Sequence, residues 1–130
     1  MEISYLWDTN TVIYYLQQLF SSEAEVFMDG VLKESVPAIS AITEIELLCW
    51  KAATTKDLLT LKSFIGDSVI FELDRIVKDK TVDFRKEYAI KLPDAIIAAT
   101  AHINDLTLIS RNTKDFHMIE GLRLINPFEL

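Results

Sequence analysis

Several residue types that define particular protein classes are scarce in this sequence. Its 130 residues include a single cysteine, Cys49, with three glycines and three prolines. A lone cysteine cannot form an internal disulfide, so a disulfide-stabilised secreted scaffold is excluded. The shortage of glycine and proline, with 50% of the residues hydrophobic, excludes a fibrous or disordered chain. Because Cys49 lies in an apolar run, we expect a small buried side chain there and not a reactive thiol.

Long apolar runs and an excess of positive charge are missing as well. No run approaches the roughly 20 apolar residues of a transmembrane helix, and no signal peptide is recognisable, so we expect a cytoplasmic protein that does not bind membranes. Lys and Arg number 13 against 20 Asp and Glu, which gives a net charge of −7. This balance argues against a protein that coats nucleic acid non-specifically. It is compatible with a basic protein partner, or with a nuclease, since an enzyme that binds divalent cations concentrates carboxylates in its site.

Short apolar segments alternate with helical segments along the chain. Hydrophobic runs predict strands at 3–7, 35–40, 68–73, 106–110 and 122–125. Apolar spacing predicts helices at 11–20, 23–33, 43–53, 56–65, 74–88 and 93–104, with Gly66 ending the fourth and a polar turn over 111–116. This alternation predicts one α/β domain over residues 1–130, with a short, mostly parallel central sheet flanked by helices. Ligands of such sheets bind beyond the carboxyl ends of the strands.

The stretch LPDAIIAATA at residues 92–101 predicts a buried helix, because it is apolar on every side after its first residues. Pro93 suits the first helical position, which places Asp94 in the first turn. Asp94 then has two interpretations. It is either a carboxylate stabilised by the helix dipole, by about 0.3–1 kcal/mol, or a carboxylate held rigidly at the edge of the core for chemistry.

Acidic or amide side chains follow the main strand-to-helix turns. Asp8 comes directly after the first strand, and Glu46 lies in the predicted first turn of the helix that follows the second strand. Asp94 begins the buried helix, and Asn112 and Asp115 follow the fourth strand. If these side chains converge, they form an oxygen-rich pocket of the kind that Mg²⁺ or Mn²⁺ prefers.

Ordinary structural roles also account for these residues one by one. Thr43 and Glu46 form a capping-box pattern, and Asp8 and Asn112 are typical turn or cap residues. Two features favour a site. Asp8 and Asp94 each adjoin an apolar segment, where an unpaired carboxylate is costly. In addition, neither has a basic residue immediately beside it in the sequence.

Other polar residues near these turns have two interpretations each. Asn10, Thr43 and Ser110 either hold the acids in place or form turn and cap hydrogen bonds. Arg111 and Lys114 flank the predicted pocket, where they either contact phosphates or face solvent in a turn. The sequence leaves both alternatives open.

Four segments resemble the PIN-domain ribonucleases, and within them the VapC toxins of bacterial toxin–antitoxin pairs. They are WDTN at 7–10, SAITEIEL at 40–47, LPDAIIAATA at 92–101 and LISRNTKDF at 108–116. Their order and spacing resemble the family across nearly the whole chain, and the third segment is the most specific.

The resemblance implies roles for the acids. Asp8 and Asp94 correspond to the family's metal-binding aspartates, and Glu46 corresponds to its glutamate, a ligand or an orienter of water. Many members carry an acid where this chain has Asn112, and Asp115 is the nearby carboxylate. We therefore expect Asn112 and Asp115 to support the site, with Asp115 the weaker candidate for direct ligation.

The function that the resemblance implies is a Mg²⁺- or Mn²⁺-dependent endoribonuclease that hydrolyses RNA. It also implies a cognate, VapB-like antitoxin that covers the site, and a homodimer. One alternative is a catalytically weak RNA-binding or regulatory module that keeps the acidic metal pocket, because Asn112 replaces an acid. A receiver-like phosphoacceptor domain is a further alternative, disfavoured because Asp8 stands alone and not in a pair of acids.

Overall fold

The computed structural model describes residues 2–130. Over that range the strands are β1 (Tyr5–Trp7), β2 (Ala38–Ser40), β3 (Val69–Phe71), β4 (Thr107–Ile109) and β5 (Leu124–Ile125). The α-helices are α1 (Thr9–Leu16), α2 (Ser22–Glu34), α3 (Ala41–Leu48), α4 (Thr55–Asp67), α5 (Arg75–Glu87), α6 (Leu92–Ile103) and α7 (Thr113–Phe116). A 3₁₀ turn, Pro127–Glu129, follows β5. Strands and helices therefore alternate as predicted.

The strands form two small parallel sheets that lie side by side. In the first, β4 lies between β1 and β5; in the second, β2 pairs with β3. A single parallel bridge joins Glu2, ahead of β1, to Ser35, ahead of β2. Because all of these pairings are parallel, the carboxyl ends of the strands meet at one edge. The predicted α/β fold with a short parallel sheet is confirmed.

The hydrophobic core has two parts, one on each face of the strands. Successive side chains of a strand point to opposite faces, so Leu6 and Leu108 pack with α5 and α6. Trp7 and Ile109 pack on the other side with residues of α1 to α4. Trp7 is fully buried, and its ring centroid lies 5.2 Å from that of Phe64. Hydrophobic packing on both faces of the strands thus holds the carboxyl ends of β1 and β4 in place.

Helix α6 is the buried helix that the sequence predicts. Every residue from Ala95 to Ala101 is buried, and the small alanine side chains allow close packing against the strands and α5. The helix begins at Leu92, so Pro93 is its second residue and not its first. Asp94 still lies in the first turn, as expected. No helix among residues 2–130 has the length and apolar character needed to cross a bilayer.

Several predicted boundaries are wrong; the helix predicted over 43–53, for example, is α3 (Ala41–Leu48). Helix α1 ends at Leu16, four residues early, because the chain turns at Gln18, whose φ is +57°. Helix α4 continues through Gly66 to Asp67, and the Ser68 hydroxyl donates to the Phe64 carbonyl at its end. Residues 113–116, predicted as a polar turn, form the short helix α7.

The expectation that Cys49 is buried is also wrong. Helix α3 ends at Leu48, and Cys49 is its exposed C-cap residue. Leu47 is the buried residue of this segment, and side chains two positions apart on a helix point about 200° apart. The apolar run therefore has one buried face, and Cys49 lies on the other.

Candidate active site

A polar cavity of about 130 Å³ opens at the carboxyl edge of the strands. Its walls come from the end of β1, from α3, from the start of α6 and from the turn after β4. The lining residues are Asp8, Thr9, Asn10, Glu46, Asp94, Ile97 and Asn112. The structure thus brings together four of the five residues that the sequence nominates, and Asp115 is the one that does not line the cavity.

Asp8 is held by both neighbouring strands and by its own helix. It is 7% exposed and is the N-cap of α1: its Oδ1 accepts a hydrogen bond from the Thr11 amide at 2.8 Å. Its Oδ2 accepts from the Ser110 hydroxyl, which follows β4. The Thr11 hydroxyl in turn donates to the carbonyl of Ile109 at 2.9 Å. The cap role is therefore real, and it leaves each carboxylate oxygen a further lone pair for a ligand.

The environment of Asp8 disfavours an unneutralised charge. Burial raises the pKa of Asp8 above its ordinary value, and the negative charge of Glu46 adds to this effect. Hydrogen bonds from Ser110 and Thr11 act in the opposite direction. A bound cation would favour the ionised form that the burial disfavours.

Glu46 reaches the cavity from the second turn of α3, and not from the first turn as predicted. The N-cap of α3 is Ser40, whose hydroxyl accepts a hydrogen bond from the Thr43 amide at 3.2 Å. Thr43 is therefore not a cap, and the capping-box interpretation of Glu46 is wrong. Oε1 of Glu46 instead accepts from the Thr9 hydroxyl at 2.7 Å. The only feature of the sequence that points to this role of Thr9 is its position directly after Asp8.

Asp94 stands half-buried in the first turn of α6, backed by the buried alanines. Burial raises its pKa, and the negative charges of Asp115, Asp8 and Glu46 raise it further. Lys91 opposes this shift. Four carboxylates therefore influence one another at this edge, and repulsion of this kind makes a divalent cation a favourable occupant.

Asn112 and Asp115 are joined by a side-chain hydrogen bond. The side-chain amide of Asn112 donates to Oδ2 of Asp115 at 2.9 Å, and the Asn112 backbone N–H donates to the Ser110 hydroxyl at 3.0 Å. Asn112 lines the cavity and Asp115 does not, although the charge of Asp115 contributes more to the raised pKa of Asp94 than the charges of Asp8 and Glu46 do. Asp115 thus acts on the cavity through its charge and through the orientation of Asn112.

The donor set matches the chemistry of a hard divalent cation. Carboxylate and amide oxygens are the usual protein ligands of Mg²⁺ and Mn²⁺. Among residues 2–130, no three acidic, histidine or cysteine side chains close around one point as a ready-made metal cluster. Asp8, Glu46 and Asp94 surround an open cavity instead, which suits an ion that keeps several of its waters.

The sequence and the fold of the chain are similar to those of known proteins. The chain matches the PIN domain family over residues 5–122. It is 34% identical to a chain of a toxin–antitoxin complex from Klebsiella pneumoniae, with a TM-score of 0.78 and coverage of 98% of this chain and 100% of that one. A chain of FitAcB from Neisseria gonorrhoeae is 26% identical, with a TM-score of 0.72 and coverage of 97% and 99%.

The same fold occurs in a chain of the DNA-bound VapBC from Salmonella typhimurium. That chain is 22% identical, with a TM-score of 0.81, and the match covers 96% of this chain and 98% of that one. At this identity the likeness concerns the fold alone. No curated protein matches the chain.

Proposed function

Because the chain belongs to the PIN domain family, we propose that it is a metal-dependent endoribonuclease and the toxin of a VapBC-type toxin–antitoxin pair. The observation that carries the proposal is the convergence of Asp8, Glu46 and Asp94 on one cavity at the carboxyl edge of the strands. The similarity to a chain of a toxin–antitoxin complex over the whole length supports the toxin part. The receiver-like alternative is abandoned because the family match overturns it.

In the proposed reaction, Asp8 and Asp94 would hold one or two Mg²⁺ or Mn²⁺ ions, and Glu46 would be a further ligand or the acceptor that orients a water. The chemistry that such an ion supplies is a water of lowered pKa and neutralisation of charge on the scissile phosphate. Ser110 and the Thr11 amide fix both oxygens of Asp8. This arrangement needs no histidine or cysteine.

The proposed partner is a VapB-like antitoxin that places a basic side chain among the carboxylates. The antitoxin would dock on apolar side chains that the first four helices and the turn after α1 leave exposed, and a homodimer would use the same kind of surface. These include Leu19, Val26, Ile45, Leu48 and Leu59. We place the protein in the cytoplasm, where RNA and antitoxin are both present. A gene for a small DNA-binding antitoxin is expected beside that of this chain; its absence would contradict the toxin part and leave the nuclease part intact.

Cleavage by the purified chain tests the nuclease proposal. Asp94→Asn should abolish Mg²⁺-dependent cleavage of RNA, because it removes a charged ligand with little change in shape. The matched control is Asp83→Asn, an exposed carboxylate on α5, which should cleave like the wild type. Circular dichroism and thermal melting establish that both variants fold. Undiminished cleavage by Asp94→Asn would contradict the proposed site.

A catalytically weak binding module is the second candidate, and Asn112 favours it because an amide lines the cavity where a carboxylate is common in the family. Calorimetric titration with Mg²⁺, run beside the cleavage assay, separates the two functions. Metal binding without cleavage of any RNA in a total cellular pool would favour the module over the nuclease.

A further inference from the structure

Arg111 stands on a group of aromatic rings beside the cavity. Its guanidinium carbon lies 4.4 Å from the ring centroid of Phe128 and 6.0 Å from that of Tyr14. The Phe128 ring packs against Phe20, with centroids 5.2 Å apart, and edge-on against Tyr14 at 5.9 Å. We refer to Tyr14, Phe20 and Phe128 as the aromatic platform.

The platform adjoins the cavity on its α1 side. Asn10 lines the cavity, and Tyr14 follows it by four residues on the same helix, so the two share one face about 6 Å apart. On the other side, Arg111 directly precedes Asn112, which also lines the cavity. Arg111 and Tyr14 are thus each connected along the chain to a residue that lines the cavity.

Arg111 contacts the aromatic rings but forms no ion pair within the described chain. Among residues 2–130, the ion pairs are Arg75 with Asp79 and Arg123 with Asp105, and Arg111 is exposed. A guanidinium that stacks on a ring through one face keeps its in-plane N–H donors, which match the oxygens of a phosphate. If Arg111 only anchored the 3₁₀ turn at Phe128, water would be the only partner of those donors.

An acidic nuclease needs local positive charge to hold the strand on either side of the bond that it cuts. The chain carries a net charge of −7, which repels the RNA backbone except where cations are placed. Sites for single strands combine cations with aromatic rings on which bases stack. Arg111 and the platform provide both at the rim of the cavity.

We propose that Arg111, held in place by Phe128 and Tyr14, binds a phosphate of the RNA strand that flanks the scissile phosphate. The inference rests on the proposed nuclease function. It assigns Arg111 to substrate binding and not to the chemical step. The half-buried Phe128 and Tyr14 fix the direction of the guanidinium, which lowers the entropy that binding must overcome.

Steady-state cleavage of a single-stranded RNA tests this inference. Arg111→Ala should raise KM about tenfold, with kcat changed less than about twofold, since one charged contact to phosphate is lost. The slope of log KM against log salt should fall by about one. Arg111→Lys should recover part of the loss, and Phe128→Leu, which keeps the guanidinium but removes its support, should raise KM about threefold.

Arg123→Ala is the matched control, because Arg123 lies ahead of β5 at the opposite edge of the sheet. It removes the same charge and should leave KM unchanged. An unchanged KM in Arg111→Ala, or an equal rise in Arg123→Ala, would overturn the inference. Thermal melting of each variant identifies any loss of activity that arises from unfolding, and Arg111→Gln replaces Arg111→Ala if the alanine variant does not fold.

Failure of the inference is distinguishable from failure of the proposed function. If the wild-type chain cleaves no RNA, the nuclease function fails, and the inference is then decided by fluorescence anisotropy with a labelled single-stranded RNA. Binding that is about tenfold weaker in Arg111→Ala than in Arg123→Ala supports a phosphate site. Equal binding by the two variants overturns it.

Discussion

The Thr9 hydroxyl donates a hydrogen bond to Oε1 of Glu46 at 2.7 Å and lies 3.2 Å from the Thr43 hydroxyl. The contact joins the first residue of α1 to the second turn of α3, across 37 positions in sequence. Glu46 would otherwise have several rotamers at the end of a flexible side chain. Thr9 therefore selects the orientation in which the carboxylate faces the cavity.

Thr9→Val should lower kcat about tenfold with little change in KM, because a hydrogen bond to a charged group contributes about 1.5–3 kcal/mol and valine keeps the shape without the donor. Thr9→Ser should restore most of the rate. Thr60→Val is the matched control, since Thr60 is an exposed hydroxyl on α4 that bonds only to its own helix. Equal kcat in Thr9→Val and wild type would show that Thr9 does not position Glu46.

The carboxylates of the cavity should destabilise the protein when no metal is bound. Burial raises the pKa of Asp94 above its ordinary value of 3.8, as do the charges of Asp115, Asp8 and Glu46. The folded protein then binds more protons than the unfolded chain between that value and the raised pKa. The stability due to this group is present in acid and is lost as the pH rises through the folded pKa.

Asp94→Asn should therefore melt a few degrees higher than the wild type at neutral pH in the presence of EDTA, and the difference should shrink as the pH falls towards about 4. Melting curves over this pH range measure it, with Asp83→Asn as the variant expected to show no gain. A lower melting temperature for Asp94→Asn at neutral pH would contradict the electrostatic account.

With divalent metal, the wild type should melt at a higher temperature than Asp94→Asn, the reverse of the order expected in EDTA. A ligand that binds only the folded state stabilises it by about 2.7 kcal/mol at one hundred times its Kd, so Mg²⁺ or Mn²⁺ should raise the melting temperature of the wild type. Asp94→Asn, which has lost a proposed ligand, should gain little. Melting temperatures in Ca²⁺ and in Na⁺ at equal ionic strength distinguish binding at a specific site from general screening of charge. Equal metal-dependent shifts in both proteins would place the ion elsewhere.

The fold and most of the site could be predicted because they depend on local patterns. Periodicity predicted the alternation of strands and helices, and the position of Asp8 and Asn112 directly after strands predicted their convergence in a parallel sheet. Asp94 reaches the same edge from the first turn of α6, which follows α5 and not a strand. Long-range contacts could not be predicted in this way. Nothing local indicates that the hydroxyl of Thr9 reaches Glu46, 37 positions further along the chain.

Two of the errors arose where a local signal was ambiguous and tertiary structure decided between its interpretations. Ser40 and Thr43 are both N-cap residue types, and the end of β2 at Ser40 decided for the former. This choice placed Glu46 one turn further along α3. Cys49 lay in an apolar run that is longer than the buried face of its helix, so hydrophobicity alone did not establish its burial.

Gly66 and Gly121 should respond in opposite ways to substitution by alanine. Gly66 lies inside α4, a Cβ there meets nothing within 4 Å, and its φ is not positive. Gly66→Ala should therefore stabilise the protein by about 0.5–1 kcal/mol, since alanine loses less backbone entropy in a helix. Gly121 has a φ of +83°, and its Cβ would lie 3.3 Å from Nε2 of His102, so Gly121→Ala should destabilise. Urea unfolding of both variants measures the two changes in the free energy of unfolding. If Gly66→Ala were less stable than the wild type, Gly66 would act as the end of the helix, as the sequence predicted.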